Sequence, residues 1–288
     1  IIVGGILVFT GTLTAYTTPQ LLGGNSNMVL ATLIYQRAMS VSDWTGASVI
    51  ALIMILKRKM ITVTKTDFIP QKEAMGQIAR IGIPIALQDG LIQVAFIVIT
   101  IIANRRGLSD AAAVGIVEKI ISFLFLVPSS MLSTVSAMGA QNIGAGKPER
   151  AIQTLRYSII ITVGFGVIIS VIIQFAAAPV VGLFTTDAAV VVLGTQYIRG
   201  YIWDCIFAGI HFSFSGYFCA CGRSELSFIH NITAIVLVRV PGVYLTSKMF
   251  PDTLFPMGLA TAAGSLTSVV ICLIAYSYLR RRQKKDAV

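Results

Sequence analysis

The sequence predicts an all-α integral membrane protein in which a lobe of six membrane helices follows about two further membrane helices. Of its 288 residues, 56% are hydrophobic and 12% are charged, and the mean hydropathy is +0.83. Soluble domains carry about 25% charged residues. Apolar runs of the ~20 residues that a bilayer requires recur along the chain between short polar breaks. No period-two alternation typical of strands competes with this prediction.

The first part of the chain, residues 1–57, differs in composition from the rest. Its two apolar segments cover residues 1–22 and 46–56. Residues 58–80 follow as a basic linker that we expect on the cytoplasmic side. The domain boundary is therefore predicted within this linker, near Lys65.

The remaining chain, residues 81–288, is predicted to form the six-helix lobe. Its membrane helices cover approximately residues 81–103, 112–138, 156–183, 190–219, 226–248 and 256–279. The breaks between them are short and rich in Gly, Pro, Asn, Asp and basic residues, which interrupt helices. The lobe is therefore predicted to be a bundle with short connections.

The sharpest break is the turn between the second and third helices of the lobe. Gly144 and Gly146 can adopt the left-handed backbone that ends a helix. Pro148 suits the first turn of the next helix, and Glu149 is favourable near its positive end. The polar and turn-forming residues of this segment are Gln141, Asn142, Gly144, Gly146, Pro148, Glu149 and Arg150.

Lys and Arg are distributed unequally between the two sides of the predicted bundle. Residues 57–80, two of the turns and the C-terminal tail together hold fifteen on one side, and the other side holds four. Because basic loops stay in the cytoplasm, we expect a multi-pass protein of the bacterial inner (plasma) membrane with a cytoplasmic C-terminus. This distribution also explains the net charge of +10 without a nucleic-acid partner.

Polar side chains at membrane depth are costly, so they are candidates for function. In the first helix of the lobe, polar residues recur at spacings that place them on one face. The second and fourth helices carry similar stripes. The three stripes contain Asp89, Gln93, Thr100 and Asn104; Glu118, Ser122, Ser129 and Ser133; and Gln196, Asp204, His211 and Ser215.

These stripes are predicted to line a hydrated cavity in which Asp89 and Asp204 bind the coupling cation. A buried carboxylic acid can exchange a proton, whereas Na⁺ needs several oxygen ligands. Further candidates for cation or proton binding are Gln88, Gln93, Glu118 and His211, and candidates for the substrate cavity are Asn104, Ser122, Ser215 and Arg239. The alternative is that these groups satisfy one another, or that Asp89 and Glu118 lie near the membrane interface.

Aromatic and basic residues of the lobe allow two interpretations each. The phenylalanines can form an adaptable drug pocket or face lipid; they are Phe96, Phe123, Phe125, Phe207, Phe212 and Phe214. Tyr197, Tyr201 and Trp203 are interpreted as anchors at the membrane interface. Arg239 precedes Pro241, so it either pairs with an acid across the bundle or stabilises a kinked helix.

Several motifs of the lobe resemble the multidrug and toxic compound extrusion (MATE) family. They are "AQNIGAGKPERA" at 140–151, "IGIPIALQDGL" at 81–91, "AAAVGIVEKI" at 111–120, "LFTTD" at 183–187 and "LVRVP" at 237–241. The resemblance covers about residues 66–288 and is greatest to the C-terminal lobe. It implies an exporter built of two six-helix lobes, driven by Na⁺ or H⁺, that expels amphipathic, often cationic compounds and needs no cofactor.

The chain departs from the family pattern at the acidic positions. The acid that many members carry in the first helix falls on Ile92, with Asp89 nearly one turn earlier. In the fourth helix the usual position falls on Ala208, one turn from Asp204. The resemblance therefore leaves the coupling ion open.

Residues 1–57 resemble the end of a spermidine/putrescine-type ABC permease. The segments that carry this resemblance are "GGILVFTGTLTAYTTPQLLGG" at 4–24, "LIYQ" at 33–36 and "DWTGAS" at 43–48. The coupling loop of such permeases is absent from the sequence. ATP-driven import is therefore not carried over from this resemblance. Because the chain carries one lobe of the two that the MATE resemblance implies, it is expected to be a half-transporter or fusion fragment that pairs with a second lobe or with itself.

Three other functions remain as alternatives. The chain can be an ABC-type permease subunit, an inserted but inactive fragment, or a membrane enzyme. The sequence contains neither an H-E-x-x-H nor a G-x-S-x-G motif, so an enzyme has little support.

Overall fold

The structure, a computed structural model, describes residues 72–286. The predicted two-helix segment over residues 1–57 and most of the linker lie outside the described residues. Residues 79–288 form one compact unit. Its described part is helical throughout, without strands, as the sequence predicts.

Nine α-helices and one π-helical turn make up the described part of the chain. They are α1 Lys72–Asn104, α2 Leu108–Leu124, α3 Leu126–Gly144, α4 Pro148–Gly182, α5 Ala188–Tyr201, α6 Asp204–Ala220, α7 Ser224–Ala234, the π turn Ile235–Arg239, α8 Val240–Met249 and α9 Phe255–Asp286.

The predicted membrane helices correspond to these elements. Among the described residues, five stretches are long and apolar enough to cross a membrane: Ala79–Asn104, Leu108–Gly144, Pro148–Gly182, Ser224–Met249 and Phe255–Arg281. The fourth predicted helix, 190–219, is divided into α5 and α6 by a turn at Ile202 and Trp203. The first and last helices extend beyond their predicted ends, because α1 begins at Lys72 and α9 includes the basic tail.

Three of the predicted helices are interrupted, and two of the interruptions have a proline nearby. Pro128 lacks an N–H for the Leu124 carbonyl, and α2 ends at that residue. Pro241 likewise cannot donate to Leu237, which lies in the π turn. At Ile202 the backbone forms a tighter turn in which hydrogen bonds join residues three apart instead of four. The N–H of Cys205 donates to the Ile202 carbonyl at 3.0 Å.

Helix α6 lies against α3, α4 and α9. Glycines allow the close approach of the backbones. A Cβ on Gly166 of α4 would lie 3.0 Å from the backbone of Ile206, and one on Gly209 of α6 would lie 2.7 Å from the Thr162 side chain. Asp204, the first residue of α6, is therefore held firmly inside the lobe.

The turn between α3 and α4 has the backbone that the sequence predicts at Gly146. Gly146 has a φ of 70°, and the N–H of Lys147 donates to the Asn142 carbonyl at 2.9 Å, which is a Schellman motif. Gly144 is the last residue of α3. The turn before α7 has the same geometry, with φ of 69° at Gly222.

Candidate functional site

A buried ion pair joins α6 to the π turn in the interior of the lobe. Asp204 is fully buried and Arg239 is 9% exposed. The Arg239 Nη2 donates to Asp204 Oδ2 at 2.7 Å and to the Tyr201 hydroxyl at 3.0 Å. Of the two roles that the sequence allows for Arg239, the structure has it paired with an acid across the bundle.

Aromatic rings and a glycine hold the Arg239 side chain in place. Its guanidinium carbon lies 5.8 Å from the centroid of the Phe96 ring and 5.6 Å from that of Tyr201, within the range of cation–π attraction. A Cβ on Gly264 of α9 would lie 2.9 Å from the Arg239 Cβ. Gly264 is therefore needed for Arg239 to approach α9.

A second carboxylate, Glu118 of α2, belongs to the same cluster. Its Oε2 accepts a long hydrogen bond from the Thr100 hydroxyl, at 3.4 Å, and the carboxylate interacts electrostatically with Arg239. The Tyr201 hydroxyl accepts a hydrogen bond from Arg239, and the Tyr197 ring packs edge to face on that of Tyr201, with centroids 5.6 Å apart. We call these five residues, Glu118, Tyr197, Tyr201, Asp204 and Arg239, the central cluster.

Each of four cluster members carries a buried polar atom without a hydrogen-bond partner among residues 72–286. These atoms are Glu118 Oε1, the Tyr197 hydroxyl oxygen, Asp204 Oδ1 and Arg239 Nε. Ser265 interacts with the Asp204 carboxylate, but within residues 72–286 the Oδ1 atom of Asp204 has no hydrogen-bond partner. Because unpaired buried polar atoms cost free energy, this arrangement is suited to binding an ion, a proton or a polar ligand.

A cavity of about 60 Å³ adjoins the central cluster. Arg239 and His211 line it, and three of the phenylalanines proposed for a drug pocket form part of its wall. The lining residues are Ile92, Phe96, Phe125, His211, Phe212, Asn231, Ala234, Ile235, Arg239, Gly264, Ser265 and Ser268. The cavity lies where the chain is interrupted, at Phe125 and at the π turn.

A buried hydrogen-bonded chain borders this cavity. His230 Nε2 is 2.9 Å from the Ser215 hydroxyl, and its Nδ1 is 2.6 Å from that of Ser268. The rings of His211 and His230 are 5.7 Å apart. Ser215 thus contacts His230, a histidine that the polar stripes do not include.

The structure brings four of the predicted site residues together in or beside the central cluster: Glu118, Asp204, His211 and Arg239. Other candidates lie elsewhere. Gln88 is buried and its Oε1 accepts a hydrogen bond from Ser227 at 2.7 Å. The exposed candidates on this lobe are Asp89, Gln93, Asn104 and Ser122. The roles of all these residues remain predictions.

Two members of the central cluster were interpreted wrongly from the sequence. Tyr197 and Tyr201 are fully buried, so they are not interfacial anchors. Tyr197, Tyr201 and Asp204 follow one another at spacings of four and three residues. In a continuous helix these spacings place all three on one face, and this was the available signal. Trp203, by contrast, is 40% exposed.

Comparisons with known proteins identify relatives of the lobe. A sequence profile of the MatE family matches residues 84–245. An FAD transporter of Shewanella oneidensis is 28% identical over 202 residues, which cover 69% of this chain and 44% of that protein. The multidrug export protein MepA of Staphylococcus aureus is 27% identical over 218 residues, 75% of this chain and 47% of its own length. The chain thus spans about half the length of the curated relatives it matches.

Solved structures show the same fold. The outward-facing conformation of a multidrug resistance MATE family transporter matches with a TM-score of 0.77 and 19% identity, over 85% of this chain and 55% of that one. A MATE structure in the bent conformation matches with a TM-score of 0.75 and 18% identity, over 90% and 61%.

Proposed function

Because the chain belongs to the MatE family, whose members are transporters, we propose that this lobe takes part in ion-coupled export of amphipathic, often cationic compounds. The coupling ion is Na⁺ or H⁺, and its candidate site is the central cluster. The lobe lies in the bacterial inner membrane with its C-terminus in the cytoplasm, as the distribution of Lys and Arg favours.

The observation that supports this proposal most is the state of Asp204. It is fully buried in the lobe, and its Oδ1 has no partner in the described part of the chain. A buried carboxylate oxygen that is left free costs stability, and ionisable groups at membrane depth mark ion pathways. Structural stability alone therefore does not account for this arrangement.

The two coupling ions make different demands on the cluster. Na⁺ needs several oxygen ligands, which Asp204 Oδ1, Glu118 Oε1 and the Tyr197 hydroxyl can supply if the side chains converge. A proton needs only one carboxylate, and its arrival would weaken the attraction between Asp204 and Arg239. In both cases the incoming positive charge competes with Arg239 for Asp204.

We also propose that the lobe works beside a second six-helix lobe. The length of the matched relatives supports this, since the chain covers 44% and 47% of the two named above. Pseudosymmetric lobes that form a site between them are a common transporter design. The second lobe is either another copy of this chain or a separate polypeptide.

The test is ethidium efflux from cells that express this chain, alone and together with the N-terminal lobe of a MATE transporter. We expect ion-dependent efflux in at least one case, and we expect Asp204→Asn to lower it by about tenfold or more, equivalent to about 1.4 kcal/mol. Asp252→Asn, in the exposed loop before α9, is the matched control.

Three results would reject parts of this proposal. Absence of efflux in both cases, despite confirmed insertion, would support an inactive fragment. Efflux that persists after both ion gradients are collapsed would support an ATP-driven permease. Full ion-dependent efflux by Asp204→Asn would remove Asp204 from the mechanism.

A further inference from the structure

We propose that the cavity beside Arg239 binds the acidic group of a planar aromatic molecule, a carboxylate or a phosphate attached to a ring system. This rests on the proposed export function and narrows its substrate class. An organic anion would use this subsite, whereas the family resemblance alone suggests cations.

The charge of the cavity lining supports an anion. Arg239 and His211 are the ionisable side chains among the described residues that line it, and no carboxylate does. Asp204 is fully buried outside the lining, and its Oδ2 is already bonded to Arg239 Nη2. A cation that enters the cavity would therefore meet a guanidinium before it met an acid.

Hydrogen-bonding capacity at the cavity supports the same conclusion. His211 and Arg239 are 6% and 9% exposed, and within residues 72–286 the His211 Nδ1 and the Arg239 Nε have no hydrogen-bond partner. The Arg239 Nε always carries a proton, and the His211 Nδ1 carries one in one of its neutral tautomers. Two buried donors can thus serve an incoming acceptor group.

Neutral polar side chains complete the lining. They are the Asn231 amide and the hydroxyls of Ser265 and Ser268. A hydroxyl can donate to an anion or accept from a neutral ligand. These side chains can therefore hydrogen-bond to either kind of ligand. The preference for an anion comes from Arg239 and His211.

The size and walls of the cavity define the rest of the ligand. A volume of about 60 Å³ is the room of about two water molecules, which suits an acidic group rather than a whole drug. Phe96, Phe125 and Phe212 provide apolar surface beside it. The Phe125 and Phe212 rings are arranged edge to face, with centroids 6.2 Å apart, so a flat ring attached to the acidic group would contact their faces or edges.

The aromatic walls do not make this a site for organic cations. Such ligands are bound when several ring faces surround them. Here the guanidinium of Arg239 already occupies the position over the Phe96 ring. A second cation would compete with it and gain no acidic partner in the lining.

The test uses three naphthalene probes that differ in charge: 2-naphthoate, 2-naphthylmethanol and 2-naphthylmethylammonium. Binding to the full 288-residue chain in lipid nanodiscs is measured by titration calorimetry at neutral pH. We expect the anion to bind about tenfold more tightly than the cation, with the alcohol between them. Nanodiscs without protein give the correction for partition into lipid.

Variants then locate the site. His211→Phe preserves an aromatic ring against Phe212, and Arg239→Gln removes the positive charge. Each is expected to weaken naphthoate binding by about fivefold or more, which corresponds to the loss of a bond to a charged group. Arg199→Gln removes an exposed arginine of α5 and should leave the affinity unchanged.

Three outcomes would overturn the proposal: binding of none of the probes, binding of the cation as tight as that of the anion, or naphthoate binding that His211→Phe leaves unchanged. The last criterion holds even if Arg239→Gln does not fold. Because this assay needs no ion gradient, it separates the two proposals. Anion binding without efflux of either ethidium or naphthoate would reject the export function, and ethidium efflux without anion preference in binding would reject only the present inference.

Discussion

Two arginines of this lobe, Arg106 and Arg239, show how differently a protein can bury the same side chain. Both side chains are nearly buried, with 9% and 11% exposed. Arg106, at the start of the turn before α2, donates to four backbone carbonyls and pairs with Asp110 at 3.0 Å. The carbonyls are those of Ser247, Phe250, Pro251 and Thr253, at 2.8, 3.0, 2.6 and 3.4 Å.

The Arg106 clamp, as we call this residue with its five acceptors, connects the turn before α2 with the end of α8 and the loop before α9. A neighbouring contact holds the same loop, since Gln196 Oε1 accepts from Thr253 and from the N–H of Leu254, each at 3.1 Å. An arginine near a helix C-terminus also complements its negative end. The clamp is therefore built for stability.

Arg239 differs from Arg106 in how completely its side chain is paired. Its Nη2 donates to Asp204 and Tyr201, while its Nε has no hydrogen-bond partner among the described residues. A buried ion pair of this kind contributes little net stability, yet breaking it is expensive. The full pairing of Arg106 fits a structural role, whereas the incomplete pairing of Arg239 supports the proposed exchange of an ion at the central cluster.

The largest effect is expected from Arg239→Ala. It leaves Asp204 buried without its cation, which should lower the free energy of unfolding by about 3–5 kcal/mol. Urea unfolding in mixed micelles measures the change in the free energy of unfolding. Adding Asp204→Asn should recover more than half of the loss, and the exposed Arg199→Ala is the control. A loss that the second substitution does not recover would mean that the pair is not the cause.

Arg106→Gln should destabilise the lobe somewhat less, by about 2–3 kcal/mol, because the glutamine retains part of the hydrogen bonding. The ion dependence of efflux should stay as in the parent chain. Arg105→Gln, at the exposed neighbouring position, is the matched control for both unfolding and efflux. If Arg106→Gln changed the ion dependence, the distinction between the two arginines would fail.

The same glycine-to-alanine change should cost more where α5 packs against the start of α9 than beside Arg239. A Cβ on Gly200 would clash with the Phe255 carbonyl and lie 2.9 Å from the Leu259 nitrogen, and backbone atoms cannot move aside cheaply. We expect a loss of about 2–3 kcal/mol for Gly200→Ala and about 1 kcal/mol for Gly264→Ala, which meets the Arg239 side chain.

Melting temperatures in detergent compare the stability losses of Gly200→Ala and Gly264→Ala. Gly164→Ala is the control, since a Cβ there has no atom within 4 Å. It should be neutral or slightly stabilising, by up to about 1 kcal/mol, because alanine favours a helix more than glycine does. Equal losses at Gly200 and Gly264 would show that the two regions are packed alike.

The smallest effect on stability is expected from Glu118→Gln, below about 1 kcal/mol, because its carboxylate accepts only the long bond from Thr100. The ion concentration that gives half-maximal efflux should nevertheless change. Glu149→Gln, whose side chain is 78% exposed, is the control. An unchanged ion dependence would confine the coupling site to Asp204.

The sequence predicts the helices of this lobe well, because the hydrophobic runs are long and the breaks are polar. It predicts less about the interruptions. Pro128 and Pro241 indicate bends, but the turn at Ile202 and Trp203 contains neither proline nor glycine. The short-range hydrogen bonds of this turn depend on how α5 and α6 pack in the folded lobe. No local sequence pattern predicts that packing.

The candidate site was predictable in part. Asp204, Glu118 and His211 stand out because polar groups are rare at membrane depth. Arg239 lies 35 residues from Asp204, and the sequence offered both a partner across the bundle and a structural role. Spacing predicts a common face for Asp89 and Gln93, but it cannot say whether that face points into the lobe or out of it, and both residues are exposed on this lobe.

The π turn Ile235–Arg239 also sets the direction in which Arg239 points. A π turn holds one residue more than a regular turn at the same place, and each residue of an α-helix rotates the chain by about 100°. If the same residues continued α7 as a regular α-helix, Arg239 would therefore be rotated by up to about 100° from its present direction, away from Asp204.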